Sequence, residues 1–273
     1  MWSRYGSPAF VIPGAQKCGT TALAVFLARH PRLQLATEKE PDFFSRDSRY
    51  RDGGYHRLFP RPLFRRPVFF EASVSYFAHP AAPERLAAFD PGLHFVVMVR
   101  EPAARAYSAW NMYRRFFSVP SERARFEAWL EDRDDDDRAA GAGLLAQAAF
   151  PSFAEAVEGE LEALARRGPS ATIPALVAGG LYATHLERFL AAFPRERFLV
   201  LEDRELADAP AHTLDRVLDF LELEPHDWGD TFPKVFAGDY EEPPDDAVLA
   251  RLRAFYAPHN RRLDALVGRS FGW

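Results

Sequence analysis

Two glycines, a lysine and two threonines lie close together in the stretch Gly14-Ala-Gln-Lys17-Cys-Gly19-Thr20-Thr21. Glycine permits positive φ and a close approach of the backbone to a ligand. Lysine carries a mobile positive charge, and threonine hydroxyls at a helix start donate hydrogen bonds. Together these groups can bind a phosphate. The stretch therefore indicates a phosphate-binding loop, although the same residue types also occur in a purely structural turn.

The order of these residues separates the loop from the nucleoside-triphosphate loop G-x-x-x-x-G-K-[ST], in which the lysine directly follows the second glycine. Here Lys17 precedes Gly19 by two positions. This order resembles the 5′-phosphosulfate loop of sulfotransferases that use 3′-phosphoadenylyl sulfate (PAPS). The resemblance implies that the donor is bound by Gly14, Lys17, Cys18, Gly19, Thr20 and Thr21. We expect Cys18 to contribute its backbone N–H and its thiol to be incidental.

A second segment carries a further basic residue at the end of an apolar run. The run Val97-Met98-Val99 ends in Arg100, a proline follows, and Ser108 lies on the next predicted helix. This resembles the second sulfotransferase signature, in which an arginine and a serine bind the 3′-phosphate of the donor. An arginine can make bidentate contacts to a phosphate, and a serine adds one hydrogen bond. An ordinary salt bridge is the alternative for Arg100.

A third segment, residues 37–44, resembles the stretch that supplies the catalytic carboxylate in heparan sulfate-type sulfotransferases. The matching glutamate is Glu40, and Asp42 stands at a position commonly held by histidine. The resemblance implies that Glu40 is the general base for the acceptor hydroxyl, and that Lys17 stabilises charge on the leaving 3′,5′-ADP. The alternative for Glu40 is a solvated carboxylate, which leaves Asp42 or His56 as the next candidates for the base.

Two departures from that pattern concern the acceptor. Ala72 falls where the glycosaminoglycan enzymes carry a lysine, and residues 232–244, which match a basic loop over the cofactor, hold one lysine and several acids. A chain of net charge −5 without those cations would repel a highly anionic polysaccharide. We therefore expect a small-molecule alcohol, a phenol or a neutral sugar as acceptor. Weaker predictions for acceptor contacts are Asp42, Phe43, His56, Tyr76 and Trp110, although most such aromatic residues belong to the core.

The elements that position these residues follow from the apolar pattern. Apolar runs predict buried strands at residues 10–12, 68–70, 95–99 and 198–201. Apolar residues at three- and four-residue spacing predict helices at 20–30, 80–89, 103–117, 153–167, 180–193, 209–221 and 245–267. This alternation predicts an α/β fold with a central parallel sheet flanked by helices, which the resemblance makes the P-loop-like, three-layer sulfotransferase fold. Residues 14–21 then lie at a strand's carboxyl end, where such sheets bind ligands.

The 273 residues predict a single domain over 1–273 with a surface excursion around 118–150. Within that excursion the acidic run 131–137 is typical of a solvated loop. The net charge of −5 argues against a protein that coats nucleic acid. No signal peptide or apolar membrane span is evident, so the sequence favours a cytoplasmic location without a membrane partner. A homodimer is expected only on general grounds.

These observations together predict an enzyme that transfers the sulfuryl group of PAPS in line to a hydroxyl of a small-molecule or carbohydrate acceptor. The single cysteine excludes paired-cysteine metal sites, the histidines are scattered, and we expect no metal. The resemblance also covers residues 70–77, 180–194 and 255–273, and so spans nearly the whole chain. The alternatives are a P-loop kinase-like nucleotide enzyme and a catalytically silent nucleotide-binding protein of the same fold.

Overall fold

The structure, a computed structural model, describes residues 6–60, 67–169, 174–233, 235 and 243–273. The chain forms two compact units. The first comprises Met1–Arg100 and His185–Ala237, and the second comprises Glu101–Thr184 and Gly238–Trp273. The expectation of a single domain over residues 1–273 remains a prediction.

A parallel β-sheet forms the centre of the first unit. Its strands are β1 (Pro8–Ile12), β2 (Leu33–Leu35), β3 (Val68–Ala72), β4 (His94–Val99) and β5 (Phe198–Glu202). Their order among the described residues is β2-β3-β1-β4-β5. The four predicted strands are confirmed, because uninterrupted apolar runs suit strands covered on both faces. Only β2 was missed, since three residues at a sheet edge give no readable pattern.

The helices are numbered along the chain. They are α1 (Thr20–Leu27), α2 (Asp47–Asp52), α3 (Ala82–Phe89), α4 (Pro102–Ser118), α5 (Pro120–Glu131), α6 (Asp135–Leu145), α7 (Phe153–Arg167), α8 (Tyr182–Ala192), α9 (Asp203–Asp208), α10 (Pro210–Phe220) and α11 (Asp246–Val267). Every predicted helix is present with modest differences at its ends. The predicted α/β fold with a parallel sheet flanked by helices is confirmed. Within the described ranges, no helix has the length and hydropathy needed to cross a membrane.

Aromatic packing joins the sheet of the first unit to a helix. The ring of Phe95 on β4 lies 5.3 Å from that of Phe189 on α8 and 5.0 Å from that of Phe198 on β5, between ring centroids. All three side chains are buried. Removing rings of this size from water is a main source of the stability of such a layer. The strands that carry the loops at the carboxyl edge are therefore well packed against this helix.

The second unit is helical. Helices α4, α7 and α11 share an apolar core that includes Tyr107, Phe153 and Tyr256. The buried Tyr256 hydroxyl donates to the Val177 carbonyl oxygen at 2.7 Å. Arg105, also buried, donates from Nη1 to the carbonyl oxygens of residues 175 and 176 at 3.1 Å each. Hydrogen bonds of this kind satisfy polar groups that burial removes from water.

Residues 118–150 differ from the solvated loop that was expected within them. Helices α5 and α6 occupy most of this segment, and Phe126, Leu130 and Leu144 are buried against Tyr113 of α4. The prediction of a solvated loop at 131–137 is wrong at both ends of the run, because Glu131 is the last residue of α5 and α6 begins at Asp135. Three aspartates occupy its first turn, where carboxylates interact favourably with the helix dipole. Charge density alone did not distinguish a helix start from a loop.

Candidate active site

The loop after β1 begins between the two neighbours of that strand, since β1 pairs with β3 and β4. Two backbone hydrogen bonds attach it to β4: Ala15 N donates to Met98 O at 2.7 Å, and Met98 N donates to Gly14 O at 2.8 Å. Gly14 has φ of 152°, and a Cβ there would lie 2.7 Å from Cβ of Phe77. Only glycine therefore fits this position without displacing its neighbour.

The loop ends at the start of α1 in a form suited to an anion. Gly19 has φ of 82° and is the N-cap residue, and no described side chain caps the helix. Uncapped N–H groups and the helix dipole favour a negative group at this end. Lys17, at φ of 68°, is partly exposed, whereas Cys18 is buried and its Sγ lies 3.6 Å from Gln16 O. The Cys18 N–H, which was expected to serve the phosphate, donates to Ala15 O at 3.3 Å in this structure. Phosphate binding by these loop residues remains a prediction.

Arg100, directly after β4, lies beside this loop. Its Nη1 donates to Lys17 O at 3.5 Å, and its Nε is 3.3 Å from Oδ2 of Asp203. Asp203 follows β5 and begins α9. Burial raises the pKa of the Asp203 carboxyl, and the nearby Arg100 opposes that shift. Asp203 was not among the residues predicted from the sequence, where the available signal is an acidic residue just beyond a predicted strand.

The other predicted 3′-phosphate ligand belongs to the second unit. Ser108 is buried on α4, whereas Arg100 is the last residue of the first segment of the first unit. Trp110 lies on the same helix, is partly buried, and donates from Nε1 to Pro151 O at 3.0 Å. The joint role of Arg100 and Ser108 at a 3′-phosphate therefore remains a prediction.

Glu40 is connected to the phosphate-binding loop through its neighbour in sequence. Lys39 Nζ lies 3.1 Å from Glu40 Oε1 and donates to Thr21 Oγ1 at 3.0 Å. The Glu40 side chain is 34% exposed, so its carboxylate is accessible to a substrate. Its backbone N donates to Ala72 O at 3.2 Å, which ties this residue to the end of β3. The sequence motifs did not single out Lys39, which contacts both Glu40 and Thr21.

The predicted acceptor contacts fall into two groups. Phe43 and Tyr76 are buried, and both belong to a cluster of rings around Phe44. Both side chains therefore lie in the core, which is the alternative expected from the sequence for most such aromatic residues. His56, in contrast, is exposed within a short 3₁₀ turn, Tyr55–Leu58. An acceptor contact at these positions remains a prediction.

Asp42 and Glu71 are buried acids close to the Glu40 loop. Asp42 is 2% exposed and its Oδ1 accepts a hydrogen bond from Ser75 Oγ. Glu71, on β3, is fully buried, and burial raises the pKa of its carboxyl to about 7. Hydrogen bonds from neighbouring hydroxyls oppose that shift. Glu71 was not predicted from the sequence. The available signal is an acidic residue that directly follows the apolar run at residues 68–70.

The predicted loop over the cofactor lies largely outside the described residues, which omit Lys234 and residues 236–242. In the part of the chain that the structure describes, no group of three or more histidine, cysteine, aspartate or glutamate residues is arranged to hold a metal ion.

Known proteins resemble this chain in sequence and in architecture. The sulfotransferase domain family matches residues 7–229. The chain is 30% identical to human heparan sulfate glucosamine 3-O-sulfotransferase 6, over 97% of this chain and 73% of that protein. It is 32% identical to human bifunctional heparan sulfate N-deacetylase/N-sulfotransferase 3, over 80% of this chain and 23% of that protein. A sulfotransferase structure from Alicyclobacillus acidocaldarius superposes with a TM-score of 0.67 and 26% identity, over 97% and 98% of the two chains. The chain therefore belongs to the sulfotransferase family.

Proposed function

We propose that this sulfotransferase moves the sulfuryl group of PAPS to a carbohydrate hydroxyl, with Glu40 as the general base. The observation that carries the proposal is the contact of Lys39 with both Glu40 and Thr21, because it fixes a candidate base beside the phosphate-binding loop. Transfer in line requires a base and a leaving-group site held at a defined separation. The loop with Lys17 supplies the second of these, and PAPS is the donor that the order of its residues favours.

The chemistry can be written with these residues in named roles. Glu40 accepts the proton of the acceptor hydroxyl while that oxygen forms a bond to sulfur. The bond between sulfur and the bridging oxygen breaks, and the electron pair leaves with the 5′-phosphate of 3′,5′-ADP. Lys17 and the N-terminus of α1 stabilise the charge that develops there. The proton on Glu40 then passes to solvent.

The named relatives support a carbohydrate as acceptor, because two of them are heparan sulfate sulfotransferases. Charge argues for a less anionic carbohydrate than heparan sulfate. By the resemblance of residues 70–77, Ala72 stands where a lysine is expected in glycosaminoglycan enzymes, and the chain has a net charge of −5. Repulsion between like charges lowers the affinity for a polyanion. A neutral or weakly charged sugar therefore fits this chain better.

Substitution of Glu40 tests the role of the base. We expect Glu40→Gln to lower kcat on the order of 10²-fold or more, because the proton loses its acceptor, while the affinity for 3′,5′-ADP changes little. Lys17→Ala should lower both kcat and that affinity. Sulfate transfer from labelled PAPS and calorimetry with 3′,5′-ADP measure the two quantities. Glu127→Gln, an exposed change on α5, is the matched control.

Two results would count against the assignment. Normal turnover by Glu40→Gln would move the base to another residue, and an unchanged 3′,5′-ADP affinity in Lys17→Ala would remove the donor from this loop. A mass-shift screen of sugars, phenols and alcohols with PAPS identifies the acceptor class. Transfer to any of them rules out a catalytically silent protein. A cytoplasmic location and a homodimer remain predictions.

A further inference from the structure

Glu71 is a carboxylate that the reaction does not use and that burial disfavours. It is fully buried on β3, and two hydroxyls donate to it: Tyr55 OH to Oε1 at 2.8 Å, and Ser73 Oγ to Oε2 at 3.0 Å. A buried carboxyl retained inside a strand is costly without such partners. The partners of these hydrogen bonds therefore indicate the role of Glu71.

Ser73 extends these bonds to the loop that carries Glu40. The hydroxyl of Ser73 has one proton, which points to Glu71, so its lone pairs face other donors. The backbone N of Asp42 donates to Ser73 Oγ at 3.1 Å. A continuous chain of hydrogen bonds thus runs from Glu71 through Ser73 to the backbone two residues beyond Glu40.

The loop needs to be held, because its backbone is in an unfavourable conformation. Glu40 has φ of 58° and Asp42 has φ of 50°, in the left-handed region that is unfavourable for a residue with a side chain. Both residues are hydrogen bonded to the segment at the end of β3: Glu40 N to Ala72 O, and Asp42 N to Ser73 Oγ. Ser75 Oγ donates to the Asp42 carboxylate as well. These contacts compensate for the strain.

We propose that Glu71 is a positioning residue, which acts through Ser73 to hold the backbone around Glu40 in the conformation that presents its carboxylate to the acceptor. This inference rests on the proposed role of Glu40 as base. Glu71 touches neither substrate in this scheme. Its contribution is to keep Ser73 oriented as an acceptor for the Asp42 N–H.

The charge state of Glu71 decides whether it can do this. As a carboxylate it accepts from Tyr55 and Ser73 together, whereas a protonated carboxyl brings a further donor among hydroxyls that already donate to it. The groups that face it are Tyr55, Tyr76 and Asp42, besides Ser73. Burial raises the pKa of Glu71 to about 7, so we expect kcat to fall as pH drops through that value. In Glu71→Gln this limb of the profile should be absent, with kcat low throughout.

A double-substitution cycle separates positioning from general stability. Ser73→Ala breaks the chain of hydrogen bonds, and we expect it to lower kcat roughly tenfold with the 3′,5′-ADP affinity unchanged. In the Glu40→Gln background the same change should cost nothing further, because there is no base left to position. Thr213→Val is the matched control, since the Thr213 hydroxyl is also buried and donates to Glu205 O at 2.8 Å.

Different results would contradict either the positioning role of Glu71 and Ser73 or the role of Glu40 as base. Wild-type kcat in Ser73→Ala, or the same tenfold loss in both backgrounds, overturns the positioning role and leaves the base in place. Normal turnover in Glu40→Gln alone removes the base and the positioning role with it. If Ser73→Ala fails to fold, the pH profile of Glu71→Gln decides, and retention of the limb near pH 7 overturns the proposal.

Discussion

Among single residues, Glu71 is one whose protonation should affect the stability of the fold as well as the proposed positioning of Glu40. Burial raises the pKa of its carboxyl from an ordinary 4.5 to about 7 in the folded protein, so the folded state binds its proton more tightly than the unfolded chain does. Because the pKa of Glu71 is higher in the folded state, its protonated carboxyl contributes stability that is fully present below the unfolded-state pKa of 4.5. That contribution is lost as the pH rises to the folded-state pKa of about 7. The free energy of unfolding should therefore decrease between about pH 4.5 and 7.

This change should be roughly 3 kcal/mol from the shift of the pKa of Glu71. Urea unfolding of the wild type and Glu71→Gln at pH 5 and pH 8 measures it. The pKa of Asp203 is also raised and acts in the same direction, so the comparison of the two proteins isolates Glu71. An equal pH dependence in both would show that Glu71 titrates normally.

At the scale of elements, α7 shows how local sequence determines a helix. The Ser152 side chain accepts from Glu155 N at 3.2 Å, and Ser152 N donates to the Glu155 carboxylate at 2.9 Å. This reciprocal pair satisfies two N–H groups that a helix start leaves without partners. Gly168, with φ of 74°, follows the last turn. The helix bounds predicted from sequence, 153–167, agree residue for residue with Phe153–Arg167.

Removal of the cap should have a measurable effect. We expect Ser152→Ala to lower the free energy of unfolding by about 1 kcal/mol, because the N–H of Glu155 loses its acceptor. Ser118→Ala is a suitable comparison, since the Ser118 hydroxyl is exposed and bonds back to Arg114 O at the end of α4. Such a bond within the last turn contributes little. Equal losses in chemical denaturation of the two variants would contradict the assignment of the capping pair.

At the scale of the whole molecule, the net charge is −5, whereas the proposed phosphate site is confined to one loop. We expect residues 14–21 to bind the phosphate through glycine backbone geometry, Lys17 and a helix N-terminus rather than through a basic surface. Binding of 3′,5′-ADP should therefore depend on this loop. It should also stabilise the fold, because a ligand that binds only the native state shifts the unfolding equilibrium.

Thermal unfolding tests donor type and metal dependence together, with 3′,5′-ADP added in a chelating buffer and ATP with Mg²⁺ added in the same buffer without the chelator. A hundredfold excess of 3′,5′-ADP over its Kd adds about 2.7 kcal/mol, so Tm should rise by several degrees. ATP with Mg²⁺ should give a smaller rise, and Lys17→Ala should reduce the response to 3′,5′-ADP. A larger response to ATP with Mg²⁺ would place a triphosphate, rather than PAPS, in the loop.

Part of the site was readable from the sequence because it is continuous in the chain. The loop at residues 14–21 contains its own glycines, lysine and helix start, and the apolar runs before it and at residues 95–99 define the strands that hold it. Local backbone preferences and periodicity act over a few residues, so they leave a legible pattern. The same reasoning failed for β2, which is only three residues long.

The remaining contacts exist only because distant segments meet. Lys39 reaches Thr21, Asp203 reaches Arg100, and Ser73 reaches Asp42, and no local pattern specifies any of these pairs. Burial of Glu71 likewise depends on what packs over β3, and it is burial that raises the pKa of its carboxyl. Local sequence is enough to specify the α/β class and the glycine-rich loop at residues 14–21, since both follow from backbone preferences and periodicity over a few residues. Which side chains lie beside that loop, and which acids are removed from water, depends on contacts between segments far apart in the chain.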